Sequence, residues 1–253
     1  MVAEHPGKAP LDWRYATRQA LWAVVDAVFP ARCAGCSQAG QRFCKACLSA
    51  LAYLPRPVCE RCGYPVQGQA GRLCAACRQA SPSALSGIRS VAFFEGPLQQ
   101  ALHSLKYKRD IILADTLARL LYDAWVGHPV PGDVVMPIPL SPQRLRERGY
   151  NQAGLLARGF AELAGLPYTF RGAVRVRNTT SQVGLSAAQR RENMGGAFSG
   201  AVGRVAGRAV ILVDDVCTTG STLAACAEAL TAAGAASVWG FTLARARAPG
   251  KEA

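Results

Sequence analysis

The segment Val210-Ile211-Leu212-Val213-Asp214-Asp215-Val216-Cys217-Thr218-Thr219-Gly220-Ser221-Thr222 constrains the fold more than any other part of the chain. Four consecutive apolar residues without polar alternation read as a strand buried on both faces, as in a helix-covered parallel sheet. Two carboxylates follow at the strand's carboxyl end, where open α/β sheets bind their ligands. The Thr, Gly and Ser run then passes into a helical pattern. Leu223, Cys226, Ala227 and Leu230 share one face of it, and Gly234 is the stop. Small residues let the backbone approach an anion, while a helix start turns unpaired N–H groups and positive dipole toward it. Neither GxxxxGK[ST] nor GxGxxG is present, so this is not a nucleoside-triphosphate P-loop or a dinucleotide fingerprint.

Half of the 253 residues are hydrophobic and 18% are charged, a globular composition with ample material for a core. The 29 Lys and Arg exceed the 16 Asp and Glu, giving a formal net charge of +13. That balance favours acidic partners such as phosphate, pyrophosphate or nucleic acid. No stretch is long enough to span a membrane. The apolar run at 19–31 is interrupted by Asp26, and Arg32 directly before Cys33 is a poor cleavage context, so a helix is expected instead of a signal peptide. Its expected stripe is Leu21, Val24, Val25 and Val28, with Trp13 and Trp22 packing nearby and Pro30 as its end. A cytoplasmic chain is expected, in which paired cysteines are metal sites before they are disulfides.

Eight of the ten cysteines form four CxxC pairs: Cys33/Cys36, Cys44/Cys47, Cys59/Cys62 and Cys74/Cys77. Each pair places two sulfurs on one tight turn, and two such knuckles complete a tetrahedral thiolate site. Sequential pairing leaves short hairpin spacers at 37–43 and 63–73, the order of two consecutive zinc ribbons. An interleaved pairing has the same spacing, and an iron–sulfur cluster or a redox dithiol is the competing chemistry. With no open coordination position implied, two structural Zn²⁺ are expected, supplying much of the module's folding energy. Two such sites lower the net charge to about +9. Cys217 reads either as a small residue filling space in the loop or as a thiol activated by the helix start. Cys226 reads as core.

After a polar linker at 78–87, Ile88–Phe94 reads as a strand and Leu98–Leu105 and Ile112–Trp125 as helices. Between the helices, Lys106-Tyr107-Lys108-Arg109-Asp110 is either a phosphate or nucleic-acid contact, with Tyr107 as a stacking face, or a solvated basic turn. Asp133–Leu140 reads as a strand leading into the loop of Arg144, Arg146 and Arg148, then the helix Gln152–Ala164. That loop is either a pyrophosphate loop or a salt-bridged surface. Residues 171–193 are Arg-rich and poor in apolar residues, the composition of a flap. Nine Arg lie between residues 139 and 193 against three acids, Glu147, Glu162 and Glu192, which concentrates the positive charge there. Ser237–Leu243 is the expected last strand, and Arg245–Ala253 a loose tail. The expected organisation is an amino-terminal helix (1–31), a double zinc ribbon (32–80) and an α/β domain (81–253).

A carboxylate accepts hydrogen bonds from two neighbouring hydroxyls, so Asp214 and Asp215 suit a ribose whose 5-phosphate rests on Val216–Thr222. The order of strand, Asp-Asp, Thr-Thr-Gly-Ser-Thr and helix resembles the phosphoribosyl pyrophosphate (PRPP) fingerprint of type I phosphoribosyltransferases. The simpler alternative is a strand–turn–helix whose acids are a cap and a solvated end. Further landmarks stand in order: zinc knuckles, Leu105-Lys106-Tyr107-Lys108, Arg148-Gly149-Tyr150-Asn151-Gln152, Gln182-x-x-Leu185-x-x-x-x-Arg190-x-x-Asn193, Ala197-Phe198 and the Asp-Asp loop. Over residues 20–247 this arrangement resembles the ComF family, competence-associated phosphoribosyltransferase-like proteins with an amino-terminal double zinc ribbon.

The resemblance implies a type I phosphoribosyltransferase-like parallel sheet with flanking helices, preceded by the zinc ribbons. It implies PRPP and Mg²⁺, with Asp214 and Asp215 on the ribose and Val216, Cys217, Thr218, Thr219, Gly220, Ser221 and Thr222 on the 5-phosphate. Leu140, Ser141, Arg144 and Arg148 fall where the pyrophosphate loop lies. It also implies a role in handling incoming single-stranded DNA, with competence-machinery proteins as partners. Lys106, Lys108, Arg146, Arg177, Arg190 and Arg191 are the nucleic-acid candidates. Two departures stand out: Thr218 replaces an acid that some purine-salvage transferases use at the base, and the zinc module occupies the place of a nucleobase hood. Three functions therefore remain open: a transferase with an unidentified acceptor, a nucleic-acid accessory factor, and a PRPP sensor without turnover.

Overall fold

The computed structural model describes residues 13–28, 30–68, 73–177 and 196–247. The central sheet has four parallel strands in the order β1 (Gly87–Phe93), β6 (Ser237–Arg245), β5 (Ala209–Cys217), β2 (Val134–Pro137). On one face lie α4 (Gly96–Tyr107), α5 (Leu113–Gly127) and α7 (Gln152–Ala164); on the other lies α9 (Ser221–Ala232). The short helices α2 (Lys45–Ser49), α3 (Ala75–Gln79), α6 (Pro142–Arg148) and α8 (Val202–Val205) and the antiparallel pair β3 (Ala173–Arg175) and β4 (Phe198–Gly200) complete it. No described helix is long and apolar enough to cross a membrane.

The continuous apolar run of β5 is divided between two cores. Side chains alternate across a strand, so Ile211 and Val213 join the cluster with Leu102, Leu117 and Phe160. Val210 and Leu212 join the one with Met136, Cys226 and Leu230. Phe160, fully buried, packs edge-on against Trp125 at 5.8 Å and Phe241 at 5.4 Å. Helix α7 has the boundaries that its apolar spacing predicts.

The cysteine module is built onto this body. Phe93 N donates to Ala52 O and Leu54 N to Val91 O, which covers the outer edge of β1. Cys33, Phe43, Cys47 and Leu51 belong to the same core cluster as Leu98 and Leu105.

Helix α1 (Trp13–Val28) corrects an expectation. Leu21 and Val24 of its expected stripe are exposed, and so is Trp13, expected to pack beside it. The helix docks through its polar face instead: Arg18 Nε, Gln19 Nε2 and Trp22 Nε1 all donate to the buried Asp115 carboxylate of α5. Hydrophobic period identifies residues that share a face; here a buried acid decides which face turns inward. The tail expected from Arg245 is corrected too, because β6 continues through Arg245, whose side chain is buried.

Candidate functional site

Strand β5 runs two residues beyond the acids, so Asp214 and Asp215 lie within its carboxyl end, with their carboxyls close enough to interact. Asp215 is buried and forms an ion pair with Lys106 Nζ from the last turn of α4. Asp214 is half-buried on the α9 side, with its Oδ1 accepting from the Asp215 N–H at 2.9 Å. Burial, and then the charge of Asp215, hold the Asp214 carboxyl well above the usual carboxylate range. The two acids therefore differ in surroundings: Asp215 is ion-paired with Lys106, while burial and the neighbouring Asp215 raise the Asp214 carboxyl.

The turn beyond them is open. Thr218 and Thr219 are exposed, and Gly220 occupies the N-cap of α9 at φ +82°, a left-handed conformation that glycine adopts without steric cost. No side chain at that position caps the helix. Thr219 Oγ1 accepts from Ser221 N at 3.3 Å and donates to Ser221 Oγ at 3.0 Å, holding the loop in shape. Thr219 Oγ1 takes the Ser221 amide, and a helix start reached by small residues turns its positive end toward an anion. Cys217 is the expected loop residue whose side chain turns away. It is buried, its thiol is pushed up by burial, and Arg245 Nη1 donates to its sulfur at 2.7 Å. This matches the space-filling reading and not an activated nucleophile. Thr222 is half-buried in the first turn of α9.

Cations surround the acids. Arg144 on α6 and Asp214 both act electrostatically on Arg175 of β3, so the three charges share one region. Arg148 lies over the Tyr107 ring at 5.3 Å, Tyr107 stacks on His103 at 4.6 Å, and Tyr150 Oη donates to Leu105 O. Ser141 is buried, its Oγ accepting from Arg144 N at 3.3 Å as the N-cap of α6; the expected irregular loop is thus a short helix. Leu140 is half-buried just before it. Lys108, Arg146 and Arg177 are exposed, whereas Arg190 and Arg191 lie outside the described residues. A cleft of about 1140 Å³ runs along α7 beside Pro139, Leu155, Tyr168 and Phe170; it touches Leu140 and Arg175 but none of residues 214–222.

The cysteines separate into Cys33, Cys36, Cys44, Cys47 and Cys59, Cys62, Cys74, Cys77, with the sulfurs of each set all within 4.8 Å of one another. Pairing is therefore sequential. Measured separations of 3.6 Å (Cys33–Cys47), 3.7 Å (Cys36–Cys44) and 3.8 Å (Cys62–Cys74) match the tetrahedron edge of about 3.8 Å that follows from a Zn–S bond of about 2.3 Å. Burial opposes ionisation of Cys33, but the N–H groups of Cys44, Gly35 and Cys36 outweigh it and bring the thiol to about 6. Cys59 reaches about 7 in the same way, through the N–H groups of Cys62, Cys74 and Arg61. In each cluster one thiol is drawn down while Cys36 and Cys47, or Cys62 and Cys77, are pushed up, and four-sulfur closure suits structural zinc.

Residues 24–78 match the family model described as a double zinc ribbon domain, and residues 145–253 that of the phosphoribosyl transferase domain. Competence protein F of Haemophilus influenzae is 36% identical over 197 residues, covering 75% of this chain and 85% of that protein. The DNA utilization protein YhgH of Salmonella typhi is 36% identical over 194 residues, covering 74% and 84%. The chain belongs to the ComF family. Competence protein ComFC of Bacillus subtilis is a more distant relative, 29% identical over 214 residues and covering 81% of this chain and 85% of its own length. Among solved structures, the glutamine PRPP amidotransferase of B. subtilis complexed with ADP and GMP aligns at a TM-score of 0.36 and 26% identity, over 51% of this chain and 25% of that one. Strand order and the two family models carry the fold of this ComF chain: a phosphoribosyltransferase-like parallel sheet with a Cys-rich ribbon module.

Three residues near the end of β5 carry no sign of that place in the sequence. Lys106 was grouped with nucleic-acid cations, Arg175 with the flap and Arg245 with the tail. Each reaches the site from another element, and no local pattern announces that.

Proposed function

We propose that this ComF-family chain binds PRPP with Mg²⁺ and acts in the cytoplasm on single-stranded DNA taken up in natural transformation. The observation that carries this reading is the succession of Asp214, Asp215, an exposed small-residue turn and a helix start with glycine at its N-cap, at the carboxyl end of a parallel strand. The names of the relatives, Competence protein F and DNA utilization protein, support the DNA role. In this reading Thr218–Thr222 hold the 5-phosphate by backbone N–H groups, and Asp214 and Asp215 meet the ribose hydroxyls. Arg144 and Arg175 offset the charge of the pyrophosphate. Bound Mg²⁺ would add charge neutralisation, keeping several of its waters. Catalysis on such a frame is mainly positioning and leaving-group electrostatics, through an oxocarbenium-like state. The divisions 1–31, 32–80 and 81–253 belong to the same proposal.

A second reading, a PRPP sensor without turnover, is supported by Thr218, which stands where an acid would assist at a base, and by the ribbon module against β1. Two assays on the intact protein test and separate these readings. Equilibrium dialysis with labelled PRPP should show saturable uptake that requires Mg²⁺; no uptake contradicts both. Pyrophosphate release on adding nucleobases identifies the transferase, and its absence with retained uptake identifies the sensor. Binding of a labelled single-stranded oligonucleotide should weaken steeply as salt rises. Salt-independent binding contradicts the DNA reading.

A further inference from the structure

The least expected charge in the molecule is Arg245. It is 6% exposed and ends β6, and among the described residues no carboxylate lies within ion-pair distance of it. Its Nε has no hydrogen-bond partner. Its Nη1 donates to Cys217 Sγ at 2.7 Å, and its guanidinium lies over the Tyr64 ring at 5.8 Å. A buried cation without an anion is costly, and such a group calls for a counter-charge.

Two elements proposed to hold negative charge flank it. Cys217 opens the phosphate loop, and the Cys217 carbonyl accepts from Ala246 N at 2.9 Å, so the end of β6 and the start of the loop are joined. On the other side, Tyr64, whose ring the guanidinium overlies, directly follows Cys62 and Gly63 of the Cys59/Cys62 knuckle. A second path runs parallel to the first. Ile88 N donates to Arg61 O of the same knuckle at 2.9 Å. A Cβ at Gly63 would meet Ile88 O at 2.2 Å, and one at Gly220 would meet Ile88 Cδ1 at 2.9 Å. Ile88 is thus pressed between the ribbon knuckle and the phosphate loop.

We propose that Arg245 is a positioning residue that couples the second thiolate cluster to the phosphate loop, its buried guanidinium serving as counter-charge to both. Four thiolates around Zn²⁺ carry a net charge of about −2, and a sugar phosphate brings another anion. The same cation touches Cys217 behind the loop and Tyr64 beside the cluster, so filling the cluster favours the loop geometry that receives phosphate, and a filled loop favours the cluster in return. The inference rests on the PRPP reading of the loop.

The test is a double-mutant cycle on the full chain, with Arg245→Met, Cys77→Ser and the pair, read by PRPP calorimetry in Mg²⁺, zinc content and thermal melting. Arg245→Lys keeps the charge and serves as the conservative control. Arg245→Met should retain two zinc ions and bind PRPP roughly tenfold more weakly, with partial recovery in Arg245→Lys. Cys77→Ser should drop to one zinc and weaken PRPP in wild type but little further in Arg245→Met, because both changes act through one link. If Arg245→Met binds PRPP as wild type does, or the two losses simply multiply, the coupling is overturned. If Arg245→Met melts early, the Arg245→Lys and Cys77→Ser pair supplies the cycle, and independent losses there overturn it as well. Wild type that fails to bind PRPP refutes the functional reading itself, a result distinct from wild-type binding with no coupling.

Discussion

Lys106 and Asp215, one at the end of α4 and one near the end of β5, form an ion pair at the candidate site. The Asp215 side chain is 6% exposed and that of Lys106 20%, so the pair is largely withdrawn from water. Removing one partner leaves the other charge buried and unpaired, which is the expensive way to break such a pair. Lys106→Met should therefore lower unfolding stability by about 3 kcal/mol in a urea titration. A loss near zero, as for an exposed surface pair, contradicts the buried-pair account.

Asp214 sets a pH dependence of defined sign. Its carboxyl is raised above the usual 3.8 by burial and by Asp215, so the folded chain keeps a proton that the unfolded chain releases. The native state then binds more protons between 3.8 and the raised value, and stability falls as pH rises through that window. Asp214→Asn removes this slope. Thermal melts from acid to neutral pH should show the variant more stable than wild type at neutral pH, with the difference vanishing below the unfolded-state value. A variant less stable at neutral pH contradicts this assignment.

Helix α1 is held by Asp115. This acid accepts from Arg18 at 2.9 Å, Gln19 at 3.1 Å and Trp22 at 3.1 Å, while Arg18 also reaches Glu162 at 2.7 Å. Asp115→Ala strands those donors and should cost about 2 kcal/mol. Trypsin should cut after Arg18 faster in the variant, before the body of the protein is digested. Equal cutting rates would mean that the helix is held some other way.

The cysteine clusters predict a metal count. Chelation against a zinc-sensitive dye should release two ions per chain, and Cys47→Ser should leave one. Because the first cluster shares the core with Leu98 and Leu105, its loss should lower the melting temperature of the whole chain and not of a detached module. Release of one ion from wild type contradicts two complete sites.

Legibility in the sequence followed the range of the interactions. The zinc knuckles, helix α7 and the Asp-Asp turn are local patterns, fixed by spacing of two to four residues, and all of them form. The docking of α1 was not legible, because its polar face wins through Asp115, a residue on another element. The short helix capped by Ser141 was read as an irregular loop, since three arginines and two flanking turns mask its one turn of period. Lys106, Arg175 and Arg245 approach the end of β5 from α4, β3 and β6, elements far from it in sequence. Arg245 in particular carries no sign in the sequence that a charged residue at a strand end is buried.

The central claim is that residues 214–222 hold a sugar phosphate. Titration calorimetry of PRPP in Mg²⁺ into wild type and into Asp214→Asn/Asp215→Asn tests it most directly. The prediction is a saturable one-to-one isotherm for wild type and none for the double variant. No heat with wild type, or the same isotherm in both proteins, contradicts it.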